Sequence, residues 1–159
     1  MTLDDAVRVR LEVEDLYADY AACLDDGELE RWPDFFVEHG VYRVVSRENY
    51  EQDLPLATML CEGRGMMQDR VHSIRETSMF APRYLRHLVS AVRVRPEGDE
   101  LRGDANYAVF ETLTEGETRV FNVGRYIDRL VRVDGAWRFR ERICVYDTTL
   151  IVNSLIYPI

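Results

Sequence analysis

Two long strand-like segments constrain the fold of this chain more than any other feature. Residues 119–133 and 137–147 are separated by Asp134-Gly135, a strong hairpin turn signal. In the second segment apolar and charged residues alternate, which predicts a strand with one buried face and one polar face. The predicted buried positions are Trp137, Phe139, Ile143 and Val145, and the predicted polar positions are Arg138, Arg140 and Arg142.

The first half of the chain has helical patterns. Residues 4–25 carry apolar residues at spacings of three and four, which predicts one amphipathic helix that ends at Gly27. A second, short helix is predicted over Glu28–Phe36, where Pro33 begins or breaks it and aromatic side chains enter the core. A third helix is predicted over Arg64–Thr77. The aromatic residues of the second segment are Trp32, Phe35 and Phe36.

The remaining segments indicate strands and turns. Because the helices precede a run of four antiparallel strands, we expect an α+β fold with helices packed on one face of a curved sheet. No repeat or linker divides the chain, so residues 1–159 are expected to form one domain. The predicted features are strands at 41–46, 86–95 and 101–112, a polar irregular segment at 47–55, a strand or an approach to a helix at 56–61, a loop at 81–83, and turns at 96–99 and 115–116.

Composition excludes several classes of function. No apolar run approaches the ~20 residues that a membrane-spanning helix needs, and the acidic N-terminus does not fit a targeting signal. We therefore expect a cytoplasmic protein that does not bind membranes, with its three cysteines reduced. The net charge of −9 disfavours nucleic-acid binding, which requires basic surfaces.

Motifs for chemistry are mostly absent. The three histidines lie far apart in the sequence and none is near a cysteine, so local metal-ligand spacing is missing. Gly63-Arg64-Gly65 lacks the third glycine and the flanking elements of a dinucleotide site. We therefore predict no catalytic, cofactor-binding or metal-binding residue in this chain.

The tail after the last strand is apolar, from Thr148 to Ile159. Such a segment frays unless something binds it. The arginine side of the last strand and this tail are therefore expected to contact another protein, since arginine is favoured at protein interfaces.

Segments along the whole chain resemble the small (β) subunit of aromatic-ring-hydroxylating Rieske oxygenases. Within that family, residues 47–56 and the ending Ser154–Ile159 are most similar to the small subunit of salicylate 5-hydroxylases, and the small subunits of terephthalate and anthranilate oxygenases are less similar. The segments that carry the family resemblance are Glu30–Phe36, Tyr42-Arg43, Arg47–Tyr50, Asp69–Val71, Arg83–His87, Arg142–Asp147 and Asn153–Ile159.

The resemblance implies a division of labour between subunits. It implies the cystatin-like cone fold of nuclear transport factor 2, scytalone dehydratase and ketosteroid isomerase, with the N-terminal helices packed in a curved antiparallel sheet. The small subunit itself would bind no metal. Three copies would form a trimer that supports three large subunits in an α3β3 hexamer. The large subunit would hold the Rieske [2Fe–2S] cluster and a mononuclear iron, with electrons from NADH through a reductase, and the complex would hydroxylate an aromatic carboxylate such as salicylate.

The same resemblance suggests subunit-contact residues. The strand positions Arg138, Arg140 and Arg142 would pair with acidic groups of a neighbouring subunit; the alternative is that water alone solvates them. The resemblance and the apolar tail together add Tyr146, Asp147 and Tyr157 as interface candidates.

Two other functions stay open for a fold of this kind. A stand-alone isomerase or dehydratase would use His87 with Tyr17 or Tyr20 inside the cone; Tyr84, Asp104 or Asp69 could also reach His87. A small-molecule binding protein would have the pocket without the reaction. Alternatively, His87 bonds a neighbouring chain or a backbone carbonyl. An open cone would favour the first two functions, and a cone filled by Trp32, Phe35 and Met67 would favour the structural subunit.

Overall fold

The computed structural model describes residues 2–77, 82–148, 150 and 155–159. In this part of the chain, no helix is both long and apolar enough to cross a membrane. The helices are α1 Leu3–Asp25, a 3-10 helix Leu29–Phe35, α2 Arg47–Glu51 and α3 Arg64–Glu76. The strands are β1 Phe36–Ser46, β2 Met59–Glu62, β3 Arg83–Glu97, β4 Glu100–Leu113, β5 Thr118–Val133 and β6 Ala136–Tyr146.

Helix α1 confirms the prediction for residues 4–25. Thr2 and Asp5 form a reciprocal capping box at its N-terminus, which satisfies backbone N–H groups that lack helical partners. The chain leaves the helix at Gly27, whose φ of +72° suits glycine. Its apolar stripe lies against the sheet and comprises Val13, Leu16, Tyr17, Tyr20, Ala21, Cys23 and Leu24.

The second predicted helix is a 3-10 helix instead of an α-helix. Pro33 lies inside it and has no N–H to donate, which disfavours a regular α-helix in so short a segment. The segment still carries Trp32, Phe35 and Phe36 into the core, as expected. Helix α3 confirms the third predicted helix, with Met67, Val71 and Ile74 buried.

The sheet has the strand order β2-β1-β6-β5-β4-β3 and is mixed. Strands β3 to β6 form the predicted antiparallel run, but β1 pairs with β6 in parallel, so the expectation of a wholly antiparallel sheet is wrong. Parallel neighbours need a long crossover connection, and the elements from α2 to β5 supply it between β1 and β6. Asp134 and Gly135 both have positive φ, as a type I′ hairpin turn requires.

The segment after β1 holds two short elements. Residues 47–51 form α2 where a polar irregular segment was predicted, and the Ser46 hydroxyl accepts a hydrogen bond from the Asn49 N–H to begin it. The segment predicted at 56–61 as a strand or an approach to a helix contains β2, which pairs antiparallel with β1. Of the predicted loop at 81–83, Arg83 belongs to β3 and residue 81 lies outside the described residues.

One extra residue in strand β6 changes which side of the sheet the later side chains of that strand face. Leu130 pairs with Phe139 and Arg129 with Glu141, so Arg140 has no partner on β5 and forms a β-bulge. A bulge shifts the alternation of side chains by one residue. The predicted regular alternation along β6 is therefore wrong beyond Phe139.

The bulge explains which side chains of β6 are buried in the cone. Phe139, Arg142 and Cys144 face the helices and the main core. Ile143 and Val145 face the outer side of the sheet, where they form a second apolar cluster with Val45, Ile127 and the half-buried Tyr50.

Candidate functional site

The interior of the cone is filled by side chains of this chain. Trp32 and Met67 have no exposed surface and Phe35 is also buried, and all three belong to one continuous core. Trp32 packs edge-on against Tyr42 with ring centroids 5.0 Å apart. The cone is thus closed at the positions that would have to be open in an enzyme that binds its substrate there.

Arg142 lies in the middle of this closed interior. Its side chain has no exposed surface, and its Nε and Nη2 donate to the Asp128 carboxylate at 3.0 and 2.7 Å. Its guanidinium carbon lies 4.0 Å from the ring centroids of Tyr126 and Phe139. Arg142 was predicted to share an exposed polar face with Arg138 and Arg140, and that placement is wrong because of the bulge at Arg140.

The electrostatics of this pair follow from its burial. Burial acts to lower the pKa of Arg142, but the Asp128 carboxylate opposes it and holds the pKa well above its ordinary value. For Asp128, burial raises the pKa and the contact with Arg142 acts against that rise. Arg142 is therefore a permanent buried cation, and Asp128 and the surrounding ring faces supply its compensation.

The other predicted contact residues of β6 lie at the surface. Arg140 is 60% exposed and its Nη1 is 2.5 Å from a carboxylate oxygen of Glu100. Arg138 is half-buried and donates to the Trp137 carbonyl at 3.1 Å. These two arginines, unlike Arg142, are available to a partner.

Arg138 and Arg140 belong to a larger surface that we call the arginine face, the outer side of strands β1, β6, β5, β4 and β3. The register places nine arginines and four carboxylates on this side, so its charge is opposite in sign to the chain's net charge of −9. The arginines are Arg43, Arg86, Arg93, Arg95, Arg102, Arg125, Arg129, Arg138 and Arg140. The carboxylates are Glu97, Glu100, Asp104 and Glu141.

Tyr146 and Asp147 lie together at the end of β6. The Tyr146 hydroxyl is 2.7 Å from Thr58 Oγ1, and Asp147 forms an ion pair with Arg47 at 2.8 Å. Both line a surface cleft of about 590 Å³ next to α2. Tyr157 lies apart from them, half-buried against the main core.

The tail divides into a part that the structure describes and a part that it does not. Residues 149 and 151–154 lie outside the described residues. Leu155, Pro158 and Ile159 are buried in this chain's own core. The prediction that the tail as a whole serves a partner is therefore wrong for these three residues.

His87 pairs with a residue that the sequence did not single out. Its Nδ1 is 2.6 Å from Asp25 Oδ1, and its backbone N–H is 3.1 Å from both oxygens of the same carboxylate. This contact fixes the C-terminal end of α1 to β3, an edge strand of the sheet. Asp104 instead pairs with Arg95 and Arg102, so that proposed partner of His87 is engaged elsewhere.

The His87 ring is not placed to act on a ligand. A cleft of about 570 Å³ runs between α1 and β3 past this pair, but the His87 side chain has no exposed surface. Its Nε2 has no hydrogen-bond partner among the described residues and is itself buried. The Asp25 carboxylate instead binds a backbone N–H of the edge strand β3. This contact occupies part of the unpaired sheet edge, which edge strands need.

The cysteine thiols and the possible metal ligands give no sign of a reactive or metal-binding site among the described residues. The three cysteines are free and buried, and burial raises the pKa of Cys144 to about 12 and that of Cys23 to about 11. In the described ranges, no three histidine, cysteine, aspartate or glutamate side chains come together as a group that could hold a metal ion.

Comparison with known proteins agrees with this architecture. A model of the SnoaL-like domain family matches residues 5–143. The anthranilate 1,2-dioxygenase small subunit of Burkholderia cepacia is 32% identical over 99% of this chain and 98% of its own length. This chain belongs to the SnoaL-like family, among the small subunits of aromatic-ring-hydroxylating dioxygenases. It is thus a subunit of an oxidoreductase complex, and the family predicted from the sequence is confirmed.

Two further relatives fit the same assignment. The terminal oxygenase component subunit beta 1 of terephthalate 1,2-dioxygenase from Comamonas sp. is 28% identical over 94% of this small subunit and 97% of its own length. A crystal structure assigned as the beta subunit of an aromatic-ring-hydroxylating dioxygenase from Novosphingobium aromaticivorans superposes with a TM-score of 0.86. That chain is 38% identical, with 96% of this chain and 97% of that one covered. The predicted cone fold is confirmed with it.

Proposed function

We propose that this small subunit is a structural, non-catalytic scaffold for a large oxygenase subunit that carries the Rieske cluster and the mononuclear iron. The observation that carries the proposal is the closed cone. In the part of the chain that the structure describes, Trp32, Phe35 and Met67 fill the interior of the cone, where an enzyme of this fold would hold its substrate. The reaction would then belong to the partner, which receives electrons from NADH through a reductase.

The arginine face is the contact surface we assign to this role. Four of its arginines pair with only two carboxylates, Glu100 and Asp104, which leaves positive charge in excess. An acidic patch on a neighbouring subunit would complement it, whereas the acidic remainder of the chain would repel that patch. Tyr146, Asp147 and Tyr157 extend the proposed contacts beyond this face.

The finer parts of the proposal concern assembly and substrate. We propose a trimer of small subunits under three large subunits, an α3β3 hexamer in the cytoplasm. The proposed substrate is an aromatic carboxylate of the salicylate type, which rests on the similarity of residues 47–56 and of the ending Ser154–Ile159 to salicylate 5-hydroxylases. The names of the anthranilate and terephthalate relatives support an aromatic carboxylate in general.

Co-expression with the large subunit tests the proposal. We expect the two chains to purify together, with a native mass equal to three of each, and with iron present only when the large subunit is present. The purified complex should then hydroxylate salicylate with NADH and the reductase. An iron-free chain that does not bind the large subunit would contradict the scaffold role. An intact hexamer that oxidises only other aromatic acids would contradict the proposed salicylate-type substrate and leave the scaffold role standing.

A further inference from the structure

Charge is divided between two opposite sides of this chain. Residues 3–35, which include α1 and the 3-10 helix, contain 11 carboxylates and three arginines, a net charge of −8 out of the chain's −9. Helix α1 packs on the inner side of the sheet, whereas the arginine face, with nine arginines and four carboxylates, is the outer side. The two charged surfaces therefore point away from each other.

Each surface carries charges that have no counter-charge within the described part of the chain. Asp15 and Asp19 are exposed one turn apart on α1, where like charges repel, and neither forms an ion pair with another described residue. On the arginine face, Arg93 and Arg125 are exposed and have no carboxylate partner in the same part of the molecule. Each surface could therefore neutralise charge on the other.

Exposed apolar side chains lie beside the charges on both surfaces. On α1, Val7, Leu11 and Ala18 form an exposed stripe, spaced four and seven residues apart, on the side turned away from the core. On the outer side of the sheet an apolar patch crosses β3, β4 and β5 beside the arginines. Apolar area with a charged rim is the composition of a protein interface. The patch comprises Tyr84, Leu88, Ala108, Phe110, Val120 and Val123.

We propose that the outer sheet face of one small subunit docks on helix α1 of a second copy, so that the arginine face meets Asp15 and Asp19. The inference rests on the proposed function, because it names the surfaces that would join the small subunits of the trimer. Contact between two like surfaces would bring charges of one sign together, whereas this head-to-tail contact pairs opposite charges. A contact between two different surfaces generates a ring when its rotation closes, and three copies would form such a ring.

Charge reversal on each surface tests the inference in the full chain. The sheet variant is Arg93→Glu with Arg125→Glu, and the helix variant is Asp15→Arg with Asp19→Arg. In sedimentation velocity of the purified small subunit at low salt, each variant should associate at least about tenfold more weakly than the parent. Raising NaCl from about 50 to about 500 mM should also weaken association of the parent, because salt screens exposed charges.

Combining both changes in one chain is the matched control. This chain has reversed charge on both surfaces, so opposite charges meet again and its association should return to within about threefold of the parent. An equal mixture of the sheet variant and the helix variant should also associate, because each surface then meets one of opposite charge on the other variant.

Four results would overturn the inference. They are a parent that stays monomeric at low salt, a parent whose association does not weaken with salt, variants that associate as tightly as the parent, and a combined variant that associates no better than the single ones. The salt series uses the parent alone, so it decides the question even where a variant misfolds. None of these measurements includes the large subunit. The scaffold role is contradicted separately, by a parent that does not purify with the large subunit.

Discussion

Arg140 and Arg142 stand two positions apart on one strand and have opposite environments. Arg140 is 60% exposed on the outer side of the sheet and pairs with Glu100, whereas Arg142 has no exposed surface and pairs with Asp128 inside the cone. Regular alternation would place both on the same face. The single extra residue at the bulge separates them, so the role of an arginine here depends on local register more than on residue type.

The same contrast extends to the two faces of the sheet. On the inner face the strongly polar groups bind one another, as in the Arg142–Asp128 pair and the Tyr20 and Tyr42 contacts with Ile159. On the outer face arginines outnumber carboxylates and lie at the surface. The buried cation of the inner face thus has its counter-charge within the chain, and the outer face carries charge that a partner could use.

Breaking the buried pair should have the largest effect. Arg142→Met leaves Asp128 as an uncompensated charge with no exposed surface, which costs about 3–5 kcal/mol of the free energy of unfolding. Urea denaturation followed by circular dichroism measures this loss. The matched control is the double variant Arg142→Met with Asp128→Leu, which removes both charges and should recover most of the stability. A single variant as stable as the parent would mean that the pair is not a buried ion pair.

A close approach between two strands should give the next largest effect. A Cβ at Gly124 would lie 2.0 Å from the Val145 carbonyl oxygen, so Gly124→Ala forces the backbones of β5 and β6 apart. We expect a loss of about 2–3 kcal/mol in the same denaturation assay.

Gly65→Ala is the matched control for that change. A Cβ at Gly65, in α3, would meet nothing within 4 Å, so alanine there should be neutral or stabilise the chain by about 0.5–1 kcal/mol. Equal effects of the two substitutions would show that β5 and β6 are not as closely packed as described.

These comparisons also explain what the sequence could predict. Periodicity identified α1 and α3, and the positive-φ preference of Asp134-Gly135 identified the β5–β6 hairpin, because both signals are local. The parallel pairing of β1 with β6 depends on residues about a hundred positions apart. The bulge at Arg140 leaves one local signal, the charged Glu141 at a position that regular alternation would bury, and that signal was overlooked. The parallel pairing could not be read from the pattern, and the bulge could be read only from that one residue.

The candidate site shows the same limit. The absence of motif spacing for metals or nucleophiles was visible in the sequence, and so was the aromatic segment around Trp32 that fills the cone. The pairing of His87 with Asp25 was not visible in the sequence, because the two residues are 62 positions apart. Asp25 lies at the end of a helix, outside its apolar stripe, so nothing singled it out. The bulge at Arg140 turns Arg142 to the inner face, so the burial of Arg142 was missed together with the bulge.

On the outer face, Arg140→Glu should change assembly far more than stability. Its ion pair with Glu100 is largely exposed at the arginine, so we expect the free energy of unfolding to fall by less than about 1 kcal/mol. Native mass spectrometry with the large subunit should show a smaller share of hexamer. Arg10→Glu is the control, because Arg10 is an exposed arginine of α1 away from the arginine face. Hexamer loss of the same size in both variants would contradict a specific role for this face.

The smallest effect should come from an exposed ion pair, where solvent already screens the charges. The hydrogen bond from Arg75, ahead of other influences, lowers the pKa of Glu30 from 4.5 to about 2. Because the carboxyl pKa is lower in the folded chain, this contribution to stability is present above pH 4.5 and is lost as the pH falls towards 2. Since both side chains are well exposed, it should be less than about 1 kcal/mol.

Comparison of the parent with Arg75→Gln at pH 6 and pH 3 isolates this contribution. The parent should be more stable at pH 6, and the gap in urea midpoint should narrow at pH 3. It should not close, because Arg75 also donates to the Gly27 carbonyl at 2.7 Å, a bond that joins α3 to the end of α1 and does not depend on the charge of Glu30. A gap that stays constant between the two pH values would mean that Glu30 is not the titrating partner. In that case the arginine at the surface would act through its backbone contact alone.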